Sequence, residues 1–228
     1  MTFSFARDKL ISRKTVGTFT PTNHTFNVPF MFVRAFLPKD RERVREICLM
    51  TSPYKKHPTE RNKNAVCALY NDYYTECEPD NCFVAVDDAD TPVGYIVCST
   101  SPDDYLMAMK NRYVLIAQNN RIAASVEQAF TEFLLKKYRA QGYTAHLHIN
   151  LADEGRHQGL GTRLMAALVR RLQSKNVKGV MLICSSKNVN ACRFYERCGF
   201  KLLKKFFCSC VYGASPDEIA ANVAKNSR

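Results

Sequence analysis

The chain has 228 residues, 46% hydrophobic and 24% charged, enough for one large domain with a full apolar core. Nine Gly and nine Pro exclude a collagen-like or low-complexity chain, and the lack of any apolar run of about 18 residues excludes a helix that spans a membrane. The net charge of +12 is unevenly spread, at +7 over residues 1–61, −6 over 62–100, +2 over 101–145 and +9 over 146–228, so an anionic and a cationic partner are expected on different parts of the surface.

Residues 1–28 contain Gly17, Pro21 and many Ser and Thr without a period, and are expected to form a loosely ordered basic arm. No apolar signal core is present, so a cytoplasmic location is expected; the basic arm also leaves a mitochondrial presequence open. A single domain is expected over 29–212, followed by a short tail, 213–228, that frays. The ten Cys include no CxxC, only Cys208-x-Cys210. They read as reduced thiols, with no disulfide framework and no metal site. No helix-turn-helix, zinc-finger or RNA-binding aromatic signature accompanies the basic charge, so nucleic acid is not the expected partner.

In chain order, FMFVRAF (30–36) predicts a short strand. Pro38 stops it, and Asp40 is placed to cap a helix carrying Val44, Ile47 and Cys48 on one face. After a polar loop, Val66, Leu69, Tyr70 and Tyr73 predict a second helix over 62–76. CFVAV (82–86), the turn 87–92 and VGYIVCS (93–99) predict a hairpin. Residues 101–141 read as a two-piece helical insertion, with Ser125 capping the second piece. AHLHINL (145–151) alternates, with His146, His148 and Asn150 on one face and Leu147, Ile149 and Leu151 on the other. A Gly-rich turn leads to a helix over 162–175, whose Leu164, Leu168 and Leu172 form a stripe. Then come a strand (180–184), a helix (189–198) and a strand (201–208). Strand, turn, helix, strand is a βαβ unit with parallel strands, whereas the hairpin is antiparallel. The expected fold class is α/β: a mixed sheet with helices on both faces.

The segment Arg156-His157-Gln158-Gly159-Leu160-Gly161-Thr162 enters its helix through two glycines. Unpaired N–H groups of a first helical turn, with the helix dipole, suit a phosphate or pyrophosphate. The pattern lacks the Lys of a P-loop, and Leu164 stands where a dinucleotide fingerprint needs its third Gly. About thirty residues on, the chain reads NVNACRFYERCGF (188–200). Together, RxxGxG and the later Asn188, Ala191, Tyr195 and Gly199-Phe200 resemble the GNAT superfamily of N-acetyltransferases, over most of residues 30–210.

That resemblance implies a mostly antiparallel sheet whose fourth and fifth strands run parallel and splay apart at a bulge. It implies direct transfer of an acetyl group from acetyl-CoA to a primary amine, small or protein-borne. The backbone from Arg156 and His157 through Gln158, Gly159, Leu160 and Gly161 to Thr162 would take the pyrophosphate. Leu151 and Ala152 would pair with the pantetheine arm, Asn188 would hold it from the other side, and Tyr195 would protonate the departing sulfur. His146 and His148 are candidates for the base or a relay, because imidazole ordinarily titrates near neutrality; His57 is a further candidate. Glu76, Glu78, Asp80 and Asp72 are expected to draw a cationic amine. Asp153 replaces a Pro common in the family, adding a negative charge beside the cradle. HLHINL also resembles the acetyltransferase-like domain at the C-terminus of O-GlcNAcases. Some of those domains are pseudo-enzymes, so an inactive interaction module is the alternative. Lysine side chains, protein N-termini, arylalkylamines and amino sugars all stay open as acceptors.

Overall fold

A computed structural model describes residues 31–52, 55–56, 59–118 and 123–226. The expected arm, 1–28, and the candidate base His57 lie outside the described residues. Strand β1 (Phe32–Ala35) is followed by α1 (Arg41–Thr51), α2 (Glu60–Tyr70) and α3 (Asp72–Cys77). The Asp40 carboxylate does not cap α1. It accepts from Leu37 N at 2.8 Å and from both terminal nitrogens of Arg34 at 2.7 and 2.8 Å, tying the end of β1 to the helix start. The helix expected over 62–76 is two helices, because Asn71 leaves the helical region at φ −139° and ψ −53°. Thr59 starts α2 by accepting from Asn62 N at 3.2 Å.

Strands β2 (Phe83–Val86) and β3 (Pro92–Ser99) form the expected hairpin. The insertion holds α4 (Pro102–Ala108), a π-helical stretch (Met109–Tyr113), α5 (Val114–Gln118) and α6 (Ala123–Arg139). Ser125 lies inside α6 rather than capping it. Strand β4 (Ala145–Leu151), α7 (Leu160–Ser174) and β5 (Val180–Ser185) make the βαβ unit, followed by α8 (Val189–Arg197) and β6 (Lys201–Lys205). The expected strand 201–208 ends early and turns back into a further strand, β7 (Ser209–Ala214), which the sequence reading missed. The tail does not fray either. Helix α9 (Pro216–Asn226) buries Ile219 and Val223, one turn apart, on the apolar side of α7.

Among the described residues one seven-stranded sheet runs β1-β2-β3-β4-β5-β7-β6. Every neighbouring pair is antiparallel except β4 and β5. Helices cover both faces. Tyr95 and Val97 of β3 point into a core shared with α1 to α6, while Ile96 and Cys98 point into one shared with α7, α8 and α9. The fold is thus a mixed α/β sheet with a parallel pair at its centre, and that pair positions the site.

Candidate active site

Strands β4 and β5 pair at only two positions, Ala145↔Val180 and His146↔Met181. Beyond His146 they part. No bulge causes this, contrary to the expectation: β4 stays in unbroken register with β3 from Ser99↔His146 to Gly94↔Leu151. Strand β5 meanwhile pairs with β7 along its full length. Each strand follows its outer neighbour, and the sheet opens between them.

The alternation of an antiparallel ladder decides what faces the gap. Ala152 N donates to Val93 O at 2.9 Å, so its amide belongs to β3. The groups of Leu151 and Ile149 therefore point the other way, toward the parted β5. This corrects the expected pair: Leu151 faces the gap, Ala152 does not, and Ile149 takes its place. Period 2 along AHLHINL carried that signal.

The gap leads into a cavity of about 460 Å³. His146, His148, Met181, Ile183 and Cys184 line it from the strands, Tyr70 and Leu69 from α2, and Tyr105, Glu127, Gln128 and Phe130 from the insertion. Tyr70 donates to the Glu127 carboxylate at the exposed side. Tyr70 was read only as part of a helix face, and Glu127 and Tyr105 were not singled out; for these two the placement of 101–141 just before β4 was the available hint. Tyr70 and Tyr74 set their rings edge-on to His148, and Tyr105 sets its ring 4.3 Å from that of His146.

Both histidines share this face, as the alternation requires. Burial, aided by the neighbouring His148, pushes His146 down to about 3, and burial pushes His148 down to about 4. Burial thus works against the protonated form of both rings, more firmly for His146 than for the half-buried His148. His146 is 5% exposed, and neither ring nitrogen has a hydrogen-bond partner.

On the other side of the gap, Gly159 stands at the head of α7 with φ +72°, a left-handed conformation that favours glycine. A Cβ there would meet nothing within 4 Å. None of the backbone N–H groups from His157 through Gln158, Gly159, Leu160 and Gly161 to Thr162 donates to an acceptor among the described residues. Six successive free donors at a helix start form a ready anion cradle, and the residues present fit a pyrophosphate. Gly161 serves a second need, since a Cβ there would come 3.2 Å from the Phe194 ring of α8. Arg156 pairs with Asp153 at 2.8 Å and reaches Leu151 O at 3.4 Å.

Asn188 is exposed, and its side chain accepts from Ala191 N at 3.1 Å to cap α8. Its oxygen carries one hydrogen bond, and its amide nitrogen has no partner among the described residues. Tyr195 is 7% exposed and packs against Phe194, Phe200 and Tyr212. Burial, with the Cys184 thiol next in effect, raises its pKa far above the usual range, so the phenol stays protonated.

The acidic residues of 62–100 do not form a face that draws a cation. Asp72 lies 3.3 Å from Arg45, Glu76 holds Tyr113 and Arg112 at 2.8 and 2.9 Å, and Asp80 holds Arg171 at 3.1 Å. Glu78 accepts from Tyr73, Asn81, Ser99 and Thr100. Asp72, Glu76 and Asp80 are thus paired with arginines of the chain itself, and Glu78 is held by neutral donors. Among the described residues no helix is long and apolar enough to cross a membrane.

Known proteins set this geometry in context. SsHAT superposes with a TM-score of 0.72 at 26% identity, over 82% of this chain and 99% of that one. The NatC complex bound to Gag peptide and CoA matches at a TM-score of 0.53 and 13% identity, over 81% and 98%. A Drosophila melanogaster polyamine N-acetyltransferase, which forms N-acetylagmatine, matches at 0.55 and 16%, over 82% and 100%. No curated protein matches the chain in sequence. The sequence pattern of the acetyltransferase (GNAT) family matches residues 49–200, two thirds of the chain. With the parted parallel pair and the glycine-led helix already in place, this chain belongs to the GNAT family of acetyltransferases.

Proposed function

We propose that the protein transfers an acetyl group from acetyl-CoA directly to a primary amine within a ternary complex. The observation that carries this reading is the row of N–H groups from His157 to Thr162 that meet no acceptor among the described residues, beside a gap that opens into a cavity. The cradle takes the pyrophosphate of acetyl-CoA, which supplies the acyl group when bound. Arg156 adds positive charge at the loop. The edge of β4 at Ile149 and Leu151 offers backbone partners to an extended arm, and the Asn188 amide nitrogen at the start of α8 is the donor that would hold it from the other side.

The acceptor enters from the cavity side. An ammonium that leaves water for this largely apolar lining loses its proton more easily, since burial disfavours the charged form. His148, neutral at pH 7, contributes a hydrogen bond at that level rather than a strong base. The amine nitrogen attacks the acyl carbon, the carbon–sulfur bond breaks, and the amine's surplus proton leaves toward the exposed side at Glu127. Tyr195, kept protonated by burial, gives its proton to the sulfur and regains one from solvent.

Calorimetric titration with acetyl-CoA, followed by a thiol-release assay over a panel of amines, tests the reading. Micromolar binding and amine-dependent thiol release are expected. No binding at millimolar acetyl-CoA leaves the inactive interaction module as the function.

A further inference from the structure

We propose that Cys184 and Cys192 are a redox-sensitive modification site: a hydroperoxide joins them in a disulfide that pins the loop between β5 and α8 and weakens coenzyme binding. The effect on the coenzyme rests on the acetyltransferase reading above; the bond itself does not.

The first observation is distance. The two Sγ atoms lie 3.8 Å apart. A disulfide needs about 2.05 Å, so the sulfurs have to approach by less than about 2 Å, within reach of side-chain rotation and a small shift of α8. The Cys192 thiol also donates to Ser185 O at 3.9 Å, which holds it over the end of β5.

The second observation is access. Cys184 and Cys192 are both partly open to solvent. Cys48 and Cys67 also interact, but they are 3% and 0% exposed. Cys210 faces Cys184 across the β5–β7 ladder and is buried. Cys77 and Cys208 are exposed, but no second thiol lies in hydrogen-bond reach of either among the described residues. A dissolved oxidant thus finds two accessible sulfurs in contact at this one place.

The chemistry assigns each sulfur a part. Cys192 stands near the N-terminus of α8, where the helix dipole favours an anion. Burial, with Cys192 beside it, raises the Cys184 thiol and keeps it protonated. As thiolate, Cys192 attacks hydrogen peroxide, breaks the O–O bond, keeps one oxygen as a sulfenic acid and releases hydroxide. The Cys184 sulfur then attacks the sulfenic sulfur. The S–S bond forms, the S–O bond breaks, and the departing hydroxide takes the Cys184 proton as water. Two electrons pass from the two sulfurs to the peroxide, and a dithiol restores both thiols by exchange.

The bond closes a ring of chain that contains Asn188, which caps α8 and carries the amide nitrogen assigned above to the pantetheine arm. Tyr195 follows Cys192 by three residues, on the same side of α8, with the Cys184 thiol among the groups that act on its phenol. A loop tied to β5 at both ends cannot adjust to an arm lying in the gap, so the Asn188 contact is lost.

The test uses the full chain, first reduced and then treated with a few equivalents of hydrogen peroxide. Peptide mapping without reduction reads the bond, and amide hydrogen exchange reads the loop. Calorimetry with acetyl-CoA reads the ligand, before oxidation, after it, and after dithiothreitol. A linked peptide pair holding Cys184 and Cys192, two hydrogens lighter than the separate peptides, is expected, with slower exchange over 186–191. Acetyl-CoA is expected to bind about 5- to 10-fold more weakly, the worth of about one hydrogen bond, and to recover with dithiothreitol. Cys192→Ser is expected to bind acetyl-CoA within about two-fold of the wild-type protein and to lose the response to peroxide. Absence of the linked pair in the wild-type protein overturns the proposal without any variant having to fold. So does a bond that runs to Cys208 or Cys210 instead, a mapped bond that leaves affinity unchanged, or a response that survives in folded Cys192→Ser. A reduced protein that binds no acetyl-CoA sinks the transferase reading and the coenzyme effect with it, whereas the mapped bond and the slowed exchange decide the pair in either case.

Discussion

The carboxylate of Asp153 lies 2.8 Å from the guanidinium of Arg156, so the acidic residue at the head of the cradle is already paired. The family's usual Pro carries no charge there; this chain offsets its departure within one turn. Both side chains are well exposed, so the pair contributes under about 1 kcal/mol to folding. Its effect falls on ligand charge. Arg156→Ala leaves a bare carboxylate near the phosphates and is expected to weaken acetyl-CoA about 5- to 10-fold. Adding Asp153→Asn to that variant is expected to restore about half of the lost binding free energy. Calorimetry at fixed ionic strength reads both effects, and an Arg156→Ala protein with unchanged affinity removes the loop charge from the argument.

Gly159 makes a separate prediction, because its two constraints point at different observables. Valine in a left-handed conformation costs about 1–2 kcal/mol, and the added atoms meet open space in the free protein. Gly159→Val is therefore expected to fold, with its melting temperature lowered by roughly 2–8 °C. The same atoms occupy room that a diphosphate needs, so acetyl-CoA binding is expected to drop more than about 100-fold. A variant that melts lower but binds normally places the anion elsewhere.

The Tyr195 hydroxyl has no hydrogen-bond partner among the described residues, so it contributes little to the fold. Tyr195→Phe is expected to keep stability within about 1 kcal/mol and acetyl-CoA affinity within about two-fold. Turnover is expected to fall roughly 10- to 100-fold through loss of the proton donor. Measuring kcat and the dissociation constant on one preparation separates these effects. Equal turnover makes the ring a packing group only.

Glu78 shows the opposite division of labour. Its two oxygens gather Asn81, Thr100, Ser99 and Tyr73 where α3 meets β3. Glu78→Ala strands these donors and is expected to cost about 3 kcal/mol in urea unfolding. The KM for the amine acceptor is expected to stay within two-fold. A large change in that KM with intact stability restores the acidic stretch as an acceptor-steering face.

These contrasts show what the sequence could and could not reveal. The run from AHLHINL through RxxGxG into α7 was legible because strand period, turn glycines and helix stripe change in succession over a short stretch. Strand β7 was not, because SCVYGA is short, has no clear alternation and follows the lysine-rich β6 with no turn glycine. Helix α9 was overlooked although its start is written plainly. Ser215 and Glu218 exchange hydrogen bonds at 3.2 and 2.9 Å around Pro216, the signature of a capping box. The acidic residues misled because net charge says nothing of internal pairing. The cavity was hidden because its lining comes from α2, the insertion and two strands, and only the fold brings these together.

The two buried imidazoles tie the site to acid stability. Burial holds His146 at about 3 and His148 at about 4 in the folded protein. In the unfolded chain each takes a proton near about 6.5. Below that pH the unfolded state binds more protons than the folded one, so stability is full above about 6.5 and falls as the solution is acidified toward the folded values. Each ring adds a slope approaching about 1.4 kcal/mol per pH unit, reduced for His148 by its partial exposure. The groups that face the rings are Tyr70, Tyr74 and Tyr105, none charged in this range, and Glu127 lies at the rim. Urea unfolding at pH 7, 6 and 5 is expected to show a falling midpoint. His146→Leu is expected to flatten the fall by about half, since it removes one of the two linked protons and leaves other titrating groups in place. The rate profile should show no limb between pH 5 and 7 from either ring, because both are already neutral there. A wild-type slope that survives in His146→Leu means that the ring is protonated in the folded protein.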